Sequence, residues 1–173
     1  KLIENNQIDY KTLYGSWAGA FGFFQFMPST MKNYAIDFDK NSHINLKSND
    51  DAYASAANYL NKIGWKENTP CYTKIELKND IPKIYLNSSA RNLKNKKKVN
   101  FFKKYIKEFK NLDINTNLTA AIITPDIDII PGANKYKPAY LVYENYEKIL
   151  SWNRSLRFAL AVCKLKNNFK NEI

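Results

Sequence analysis

Apolar and polar positions along this chain follow two different periods. Pro28 suits the first turn of a helix, which is predicted over residues 28–36. Ser48 or Asn49 can cap a second helix. That helix carries Ala52, Ala56, Ala57, Leu60 and Ile63 at helical spacing and stops at Gly64. Its alanine face is narrow, so a neighbouring helix can pack close. Beyond Cys71 the period shortens. Residues 74–78 alternate like a half-buried strand, and residues 83–86 read as another. Apolar residues at 101, 102, 105, 106 and 109 predict one helix face. Residues 120–124 and 139–143 are short apolar strands, joined by a loop with Pro125, Pro131, Gly132 and Pro138. Residues 144–150 and 155–169 return to helix. Val142, Tyr146, Ile149 and Leu150, then Phe158, Ala161, Val162 and Leu165, mark the expected buried stripes. Residues 1–14 read as the end of a helix or a connecting segment, and there is no internal repeat. The pattern predicts an α+β chain in three parts: a first helical part over 1–70, a small α+β insertion over 71–143, and closing helices over 144–173.

Length and composition agree with that outline. A chain of 173 residues with 45% hydrophobic and 14% aromatic residues can bury a real core. No apolar run approaches the roughly 18 residues that span a bilayer. Lys1 opens neither a signal peptide nor an initiator Met, so the chain is expected to be a processed form or a part of a longer protein. Two cysteines are too few for a disulfide framework. Cys163 lies on an apolar helix face, Cys71 follows Pro70 in a loop-like stretch, and they are expected not to pair.

Charge changes the picture more. The formal net charge is +11. Arg91, Lys94, Lys96, Lys97, Lys98, Lys103, Lys104, Lys107 and Lys110 fall in one window against the single acid Glu108. Such a field attracts anionic polymers or lipids. The window lacks glycine and arginine repeats and any nucleic-acid signature, so a solvated lysine-rich surface and no nucleic-acid partner are expected.

Three of the five glycines, Gly15, Gly19 and Gly22, fall in Gly15-Ser-Trp-Ala-Gly-Ala-Phe-Gly-Phe-Phe-Gln-Phe-Met-Pro-Ser-Thr30. Trp17, Phe21, Phe23, Phe24 and Phe26 surround them, with Gln25 and Ser16 as polar handles. This is the make-up of a small-ligand cleft, or of a glycine-notched core turn. Further on, Asp37, Asp39 and Asn41 occupy positions 1, 3 and 5 of a calcium-loop pattern. His43 sits at position 7, where a backbone carbonyl would ligate, and Ile44 at position 8. Ser42 stands where the pattern wants glycine, and Ser48 where it wants a bidentate Glu; a metal-free Asx-rich turn is the other reading. His43 is the only histidine, which argues against zinc and against a Ser/His/Asp triad.

The glycine-rich stretch, followed by Tyr34-Ala-Ile-Asp-Phe-Asp39, resembles the lytic murein transglycosylase B family, bacterial enzymes that cut the glycan of peptidoglycan. The resemblance resumes at Asp51-Ala-Tyr-Ala-Ser-Ala-Ala-Asn-Tyr-Leu60 and Gly64-Trp65. It returns at Pro138-Ala-Tyr-Leu-Val-Tyr-Glu-Asn-Tyr146, at Trp152-Asn-Arg-Ser155 and at Ala159-Leu-Ala-Val162. It implies a lysozyme-like, mainly helical core with a small α+β insertion and an EF-hand-like loop. The family's lengthened EF-hand implies calcium on Asp37, Asp39, Asn41, the His43 carbonyl and Asp51, and no organic cofactor. Ser16 matches the serine that orients the family's catalytic acid. Gln25, Tyr59, Asn145 and Tyr146 match residues that line the glycan cleft.

The implied chemistry uses one glutamic acid, its pKa raised by an apolar cleft. It protonates the leaving glycosidic oxygen and then takes the proton of the sugar's own 6-hydroxyl, closing a 1,6-anhydro ring without water. In the family this residue lies upstream, in a Glu-[Ser/Thr]-x-x-Gly context. None of Glu4, Glu67, Glu76, Glu108, Glu144, Glu147 and Glu172 has that context. The catalytic acid is therefore expected N-terminal to Lys1, with these residues alone inactive, or lost in a non-catalytic glycan-binding module. The resemblance further implies a monomer in the periplasm of a Gram-negative bacterium, with any membrane anchor carried upstream.

Overall fold

The computed structural model describes residues 14–86, 89–126 and 129–170. The expected segment over 1–14 lies outside these residues except for Tyr14. The chain divides into two compact units after Trp65.

The first unit is built on turns and two helices. Gly15 bridges Phe21, and Phe21 bridges Phe26. The glycine-rich stretch is thus folded twice on itself. Phe21 and Phe26 are buried, at 4% and 2% exposure, while Trp17 is fully exposed. Gly22 has φ +75, and a Cβ there would meet the Leu46 carbonyl oxygen at 2.6 Å. Only glycine satisfies both the backbone angle and the close approach, and the contact is fixed by Phe23 N–H donating to Leu46 O (2.9 Å). Helix α1 runs Pro28–Tyr34, with proline in its first turn as predicted. Helix α2 runs Asn49–Lys62 and buries Ala52, Ser55, Ala56 and Tyr59. Ser55 Oγ accepts from Ile36 N–H (3.0 Å), which holds the exit of α1 against α2.

The second unit is a four-stranded antiparallel sheet with two following helices. The strands are β1 (Tyr72–Ile75), β2 (Lys97–Lys98), β3 (Thr119–Ile123) and β4 (Ala139–Val142), in the order β1-β4-β3-β2. Tyr72 pairs with Val142, Ala121 with Val142, and Lys97 with Ala120. Ala120 through Ile123 are all buried, so β3 is covered on both faces. On one side Ile122 and Leu141 pack with Leu77, Val99, Phe102 and Ile106. Helix α3 is the single turn Val99–Phe102; α4 (Glu144–Trp152) and α5 (Leu156–Lys170) close the unit.

Four expectations are corrected here. Residues Lys83–Leu86 form a 3-10 turn and not a strand. The helix expected over 101–109 breaks after Phe102, because Ile106 turns extended to bridge Leu77. The apolar stripe of α5 is Leu156, Ala159 and Cys163; Phe158 and Leu165 are exposed at 40% and 56%. Finally, Cys71 and Cys163 form a disulfide, with Cα atoms 5.9 Å apart. Both are fully buried. The 92-residue separation hides this pairing from any local reading.

Candidate functional site

Ser16 sits in an exposed tight turn. Its Oγ accepts from Ala20 N–H (3.1 Å), and its own N–H donates to Ala20 O (2.9 Å). Gln25 occupies the left-handed region at φ +51. This conformation costs a non-glycine residue on the order of 1–3 kcal/mol. It is held there by two bonds to one acceptor: backbone N–H (3.1 Å) and side-chain Nε2 (2.9 Å) both donate to Gly22 O. The carboxamide is anchored through nitrogen, and its oxygen makes no hydrogen bond with the described residues. Gln25 is exposed. A fixed, outward amide acceptor between Phe24 and Phe26 has the chemistry to read a sugar hydroxyl.

The other three sequence-assigned binding residues are spent internally. Tyr59 is 7% exposed and packs edge-on against Tyr34 (4.9 Å between centroids) and tilted on Phe26 (5.8 Å). Burial, then the neighbouring Tyr34, pushes its phenol pKa up. Asn145 is fully buried. Its Oδ1 accepts from Lys66 N–H (2.9 Å), and its Nδ2 donates to Lys66 O (2.6 Å) and Thr69 O (2.7 Å). Tyr146 is also fully buried, its hydroxyl donating to Leu156 O (2.6 Å). Burial raises this phenol strongly, keeping it the neutral donor. Asn145 and Tyr146 thus brace backbone within the second unit.

The acidic loop is more ordered than its sequence pattern promises. Asp37 accepts from the N–H groups of Asn41 (3.1 Å) and Ser42 (2.8 Å). Asp39 accepts from Asn41 N–H (3.1 Å) and Asn41 Nδ2 (2.8 Å). Asn41 Oδ1 accepts from His43 N–H (2.8 Å). Ser42 has φ +71, so the serine takes the bend that glycine usually supplies. Asp51, fully buried in the first turn of α2, reaches back to Phe38 N–H (2.8 Å) and Asn45 N–H (2.7 Å). Carboxylate oxygens of Asp37, Asp39 and Asp51 lie within 4.8 Å of one another. Calcium takes oxygens at about 2.3–2.6 Å, so ligands on opposite sides of one ion stand up to about 5 Å apart. This all-oxygen, triply acidic set fits a hard divalent cation.

A general acid is not found among the described glutamates. Glu67, Glu76 and Glu108 are exposed. Glu147 pairs with Lys96 (2.7 Å), and Glu144 with Lys66 (2.7 Å) and Lys148 (3.8 Å). The Lys66 hydrogen bond holds the Glu144 carboxyl below its usual range. A proton donor needs the opposite shift.

The family model for the transglycosylase SLT domain matches residues 1–167. The chain is 31% identical over 176 residues to membrane-bound lytic murein transglycosylase B of Escherichia coli K12, covering 95% of this chain and 42% of that protein. SltB3 from Pseudomonas aeruginosa, solved with NAG-NAM-pentapeptide, superposes with a TM-score of 0.80 at 28% identity, over 98% of this chain and 43% of that one. The Escherichia coli transglycosylase Slt35, solved with calcium, gives 0.70 at 28% identity, over 95% and 48%. The chain therefore spans less than half of each of these relatives. Its helices and small antiparallel sheet are those of the lysozyme-like lytic transglycosylase fold, and the chain belongs to the SLT-domain transglycosylase family.

Proposed function

We propose that this chain is the glycan-gripping part of a peptidoglycan lytic transglycosylase. The whole enzyme cleaves the β-1,4 bond between MurNAc and GlcNAc without water and leaves 1,6-anhydro-MurNAc ends. The observation that carries this reading is Gln25: an exposed amide held at positive φ by Gly22, within the glycine-rich stretch that resembles the family. Lys40, Ser42, Asn95 and Glu108 share a positive φ, but Gln25 alone of these lies in the aromatic run with its amide anchored through nitrogen, and strain held there points to a purpose beyond packing. Gln25 would read sugar hydroxyls, and Ser16 would steady the acid. Tyr59 would brace the first unit from within, and Asn145 and Tyr146 the second. The P. aeruginosa relative solved with NAG-NAM-pentapeptide supports a peptidoglycan ligand.

The proton donor is proposed to come from outside this chain's seven glutamates. The exposed or ion-paired state of the five described ones supports that, and equally supports the second reading, a module that binds glycan and cuts nothing. Calcium is proposed on Asp37, Asp39, Asn41, the His43 carbonyl and Asp51, tying the EF-hand-like loop to the first turn of α2. The buried disulfide supports an oxidising compartment such as the periplasm.

Sacculus assays test the proposal. The purified chain is expected to co-sediment with sacculi and release no anhydro-muropeptide, and Gln25→Ala should weaken sedimentation about tenfold. Release of anhydro-muropeptides by the chain alone would overturn the placement of the acid. Absence of sedimentation would overturn glycan binding.

A further inference from the structure

Two apolar side chains stand outside the sheet-side core while their neighbours lie in it. Helix α3 is one turn that buries Val99 and Phe102, and Phe101 is left 36% exposed. The 3-10 turn Lys83–Leu86 buries Leu86 and leaves Ile84 58% exposed. Asn95 Nδ2 donates to Ile84 O (2.7 Å), which ties that turn to the chain entering β2. Tyr85 packs on Phe101 (5.3 Å between centroids), and Tyr105 lies 6.1 Å from Phe101. Phe101, Tyr85 and Tyr105 thus form one aromatic patch on the second unit, with Ile84 bordering it.

Lysines frame the patch. Lys97 of β2 holds its ammonium 5.8 Å from the centre of the Phe101 ring. Lys104 stands 5.7 Å from the same ring and 4.7 Å from Tyr105. Lys78 Nζ donates to Lys104 O (2.8 Å), which brings a third ammonium to this edge. Among the described residues none of the three has a carboxylate partner; the ion pairs there engage Lys66, Lys96, Lys148 and Arg157. Residues 94–110 carry eight lysines against Glu108 alone. An ammonium over an aromatic face is attracted by the ring and keeps its charge. Positive charge is therefore held around an apolar centre.

This make-up selects among anions. A polyanion in water rewards the lysines but gains nothing from an exposed isoleucine. Ammonium groups over Phe101 also compete with any base that would stack on that ring. A lipid surface rewards both halves of the patch. Anionic headgroups attract lysine, aromatic rings settle between headgroup and acyl chain, and lysine stems lie on apolar surface with their ends in water. We infer that the patch around Phe101 docks this chain on an anionic lipid surface, with Lys78, Lys97 and Lys104 at headgroup phosphates and Phe101 and Ile84 at the acyl boundary. The contact is made by folded residues, needs no attached acyl chain and is independent of the proposed glycan reading.

A chain of net charge +11 is drawn to any anionic surface, so the test compares positions at equal charge. Vesicles of roughly three parts phosphatidylethanolamine to one of phosphatidylglycerol are floated with the chain, beside vesicles of phosphatidylcholine. The anionic vesicles should bind at least about tenfold more tightly, since each lysine at such a surface adds about fivefold. Lys97→Ala/Lys104→Ala should weaken that binding about tenfold or more. The control Lys32→Ala/Lys62→Ala, which removes the same charge from the first unit, should stay within about twofold of the parent. Ile84→Ser should lose about threefold with no change of charge, and should leave binding to a single-stranded oligonucleotide unmoved. All five substituted side chains are exposed, so melting temperatures should not change. Phe101→Trp should be quenched by brominated acyl chains more than the parent's tryptophans are. Equal binding to phosphatidylcholine, equal losses from the two lysine pairs, or no added quenching at position 101 would each overturn the inference. An oligonucleotide held more tightly than the vesicles, with Ile84→Ser changing neither, would make the patch a polyanion site and overturn it too.

Discussion

Asn145 and Gly22 are the positions where one side chain decides most. Asn145 clamps the backbone at Lys66 and Thr69 with three hydrogen bonds, all out of solvent. Asn145→Ala strands two carbonyls and an N–H, and should cost about 2–4 kcal/mol in a urea melt. Asn145→Asp should recover little, since a carboxylate cannot donate to the two carbonyl oxygens. Gly22→Ala meets both a positive φ and the Leu46 backbone. It should cost about 2–3 kcal/mol and lower the melting temperature by several degrees. The roles of single residues were unevenly legible in the sequence. Gln25 could be singled out as the long polar side chain in an aromatic run, and it is the exposed one. Asn145 could be marked only by resemblance; its partners lie 76 and 79 positions away, and no local pattern encodes them.

Among elements, the loop over 37–51 was the most legible, because alternate oxygen donors are a local pattern. Its keystone could be named only by resemblance: Asp51 belongs to α2, and only folding brings it to Phe38 and Asn45. Calcium at about a hundred times its dissociation constant should add about 2.7 kcal/mol, if it binds the folded state alone. A thermal melt with calcium and then with excess chelator checks this. Asp37→Asn/Asp39→Asn should abolish the difference, and an equal melting temperature with and without calcium would exclude the site. Short apolar runs were the least legible. Residues 101–109 have a helical spacing of apolar side chains, but Ile106 gains more by joining Leu77 in the sheet-side core. Residues 83–86 alternate like a strand, yet fold as a 3-10 turn that buries only Leu86. In both, tertiary packing overrode local periodicity.

Across the whole molecule, alkali is the sharper threat. Tyr59, Tyr72, Tyr143 and Tyr146 all have phenols raised by burial. A raised pKa means the folded state holds the proton more tightly than the unfolded chain, whose phenols ionise near 10. These groups therefore cost no stability below about pH 10, and stability falls as pH climbs from there toward their folded values. Melting temperatures should decline steeply above pH 10, and the last tyrosines should ionise together with unfolding in ultraviolet titration. Independent ionisation of all 12 tyrosines in an intact fold would contradict this. Glu144 works in the other direction. Its lowered carboxyl favours the fold above the unfolded value of about 4.5, and that help fades as pH falls through the folded one. Its side chain is 44% exposed, so solvent screening keeps the effect small.

The bond between Cys71 and Cys163 makes the workshop part of the product. Produced in a thiol-rich cytosol, the chain would keep its final helix by packing alone; produced where thiols are oxidised, the same residues would leave with that helix fastened to the head of the sheet. Two preparations of identical sequence should then part company under a protease, the unfastened one being trimmed from its C-terminal helix first.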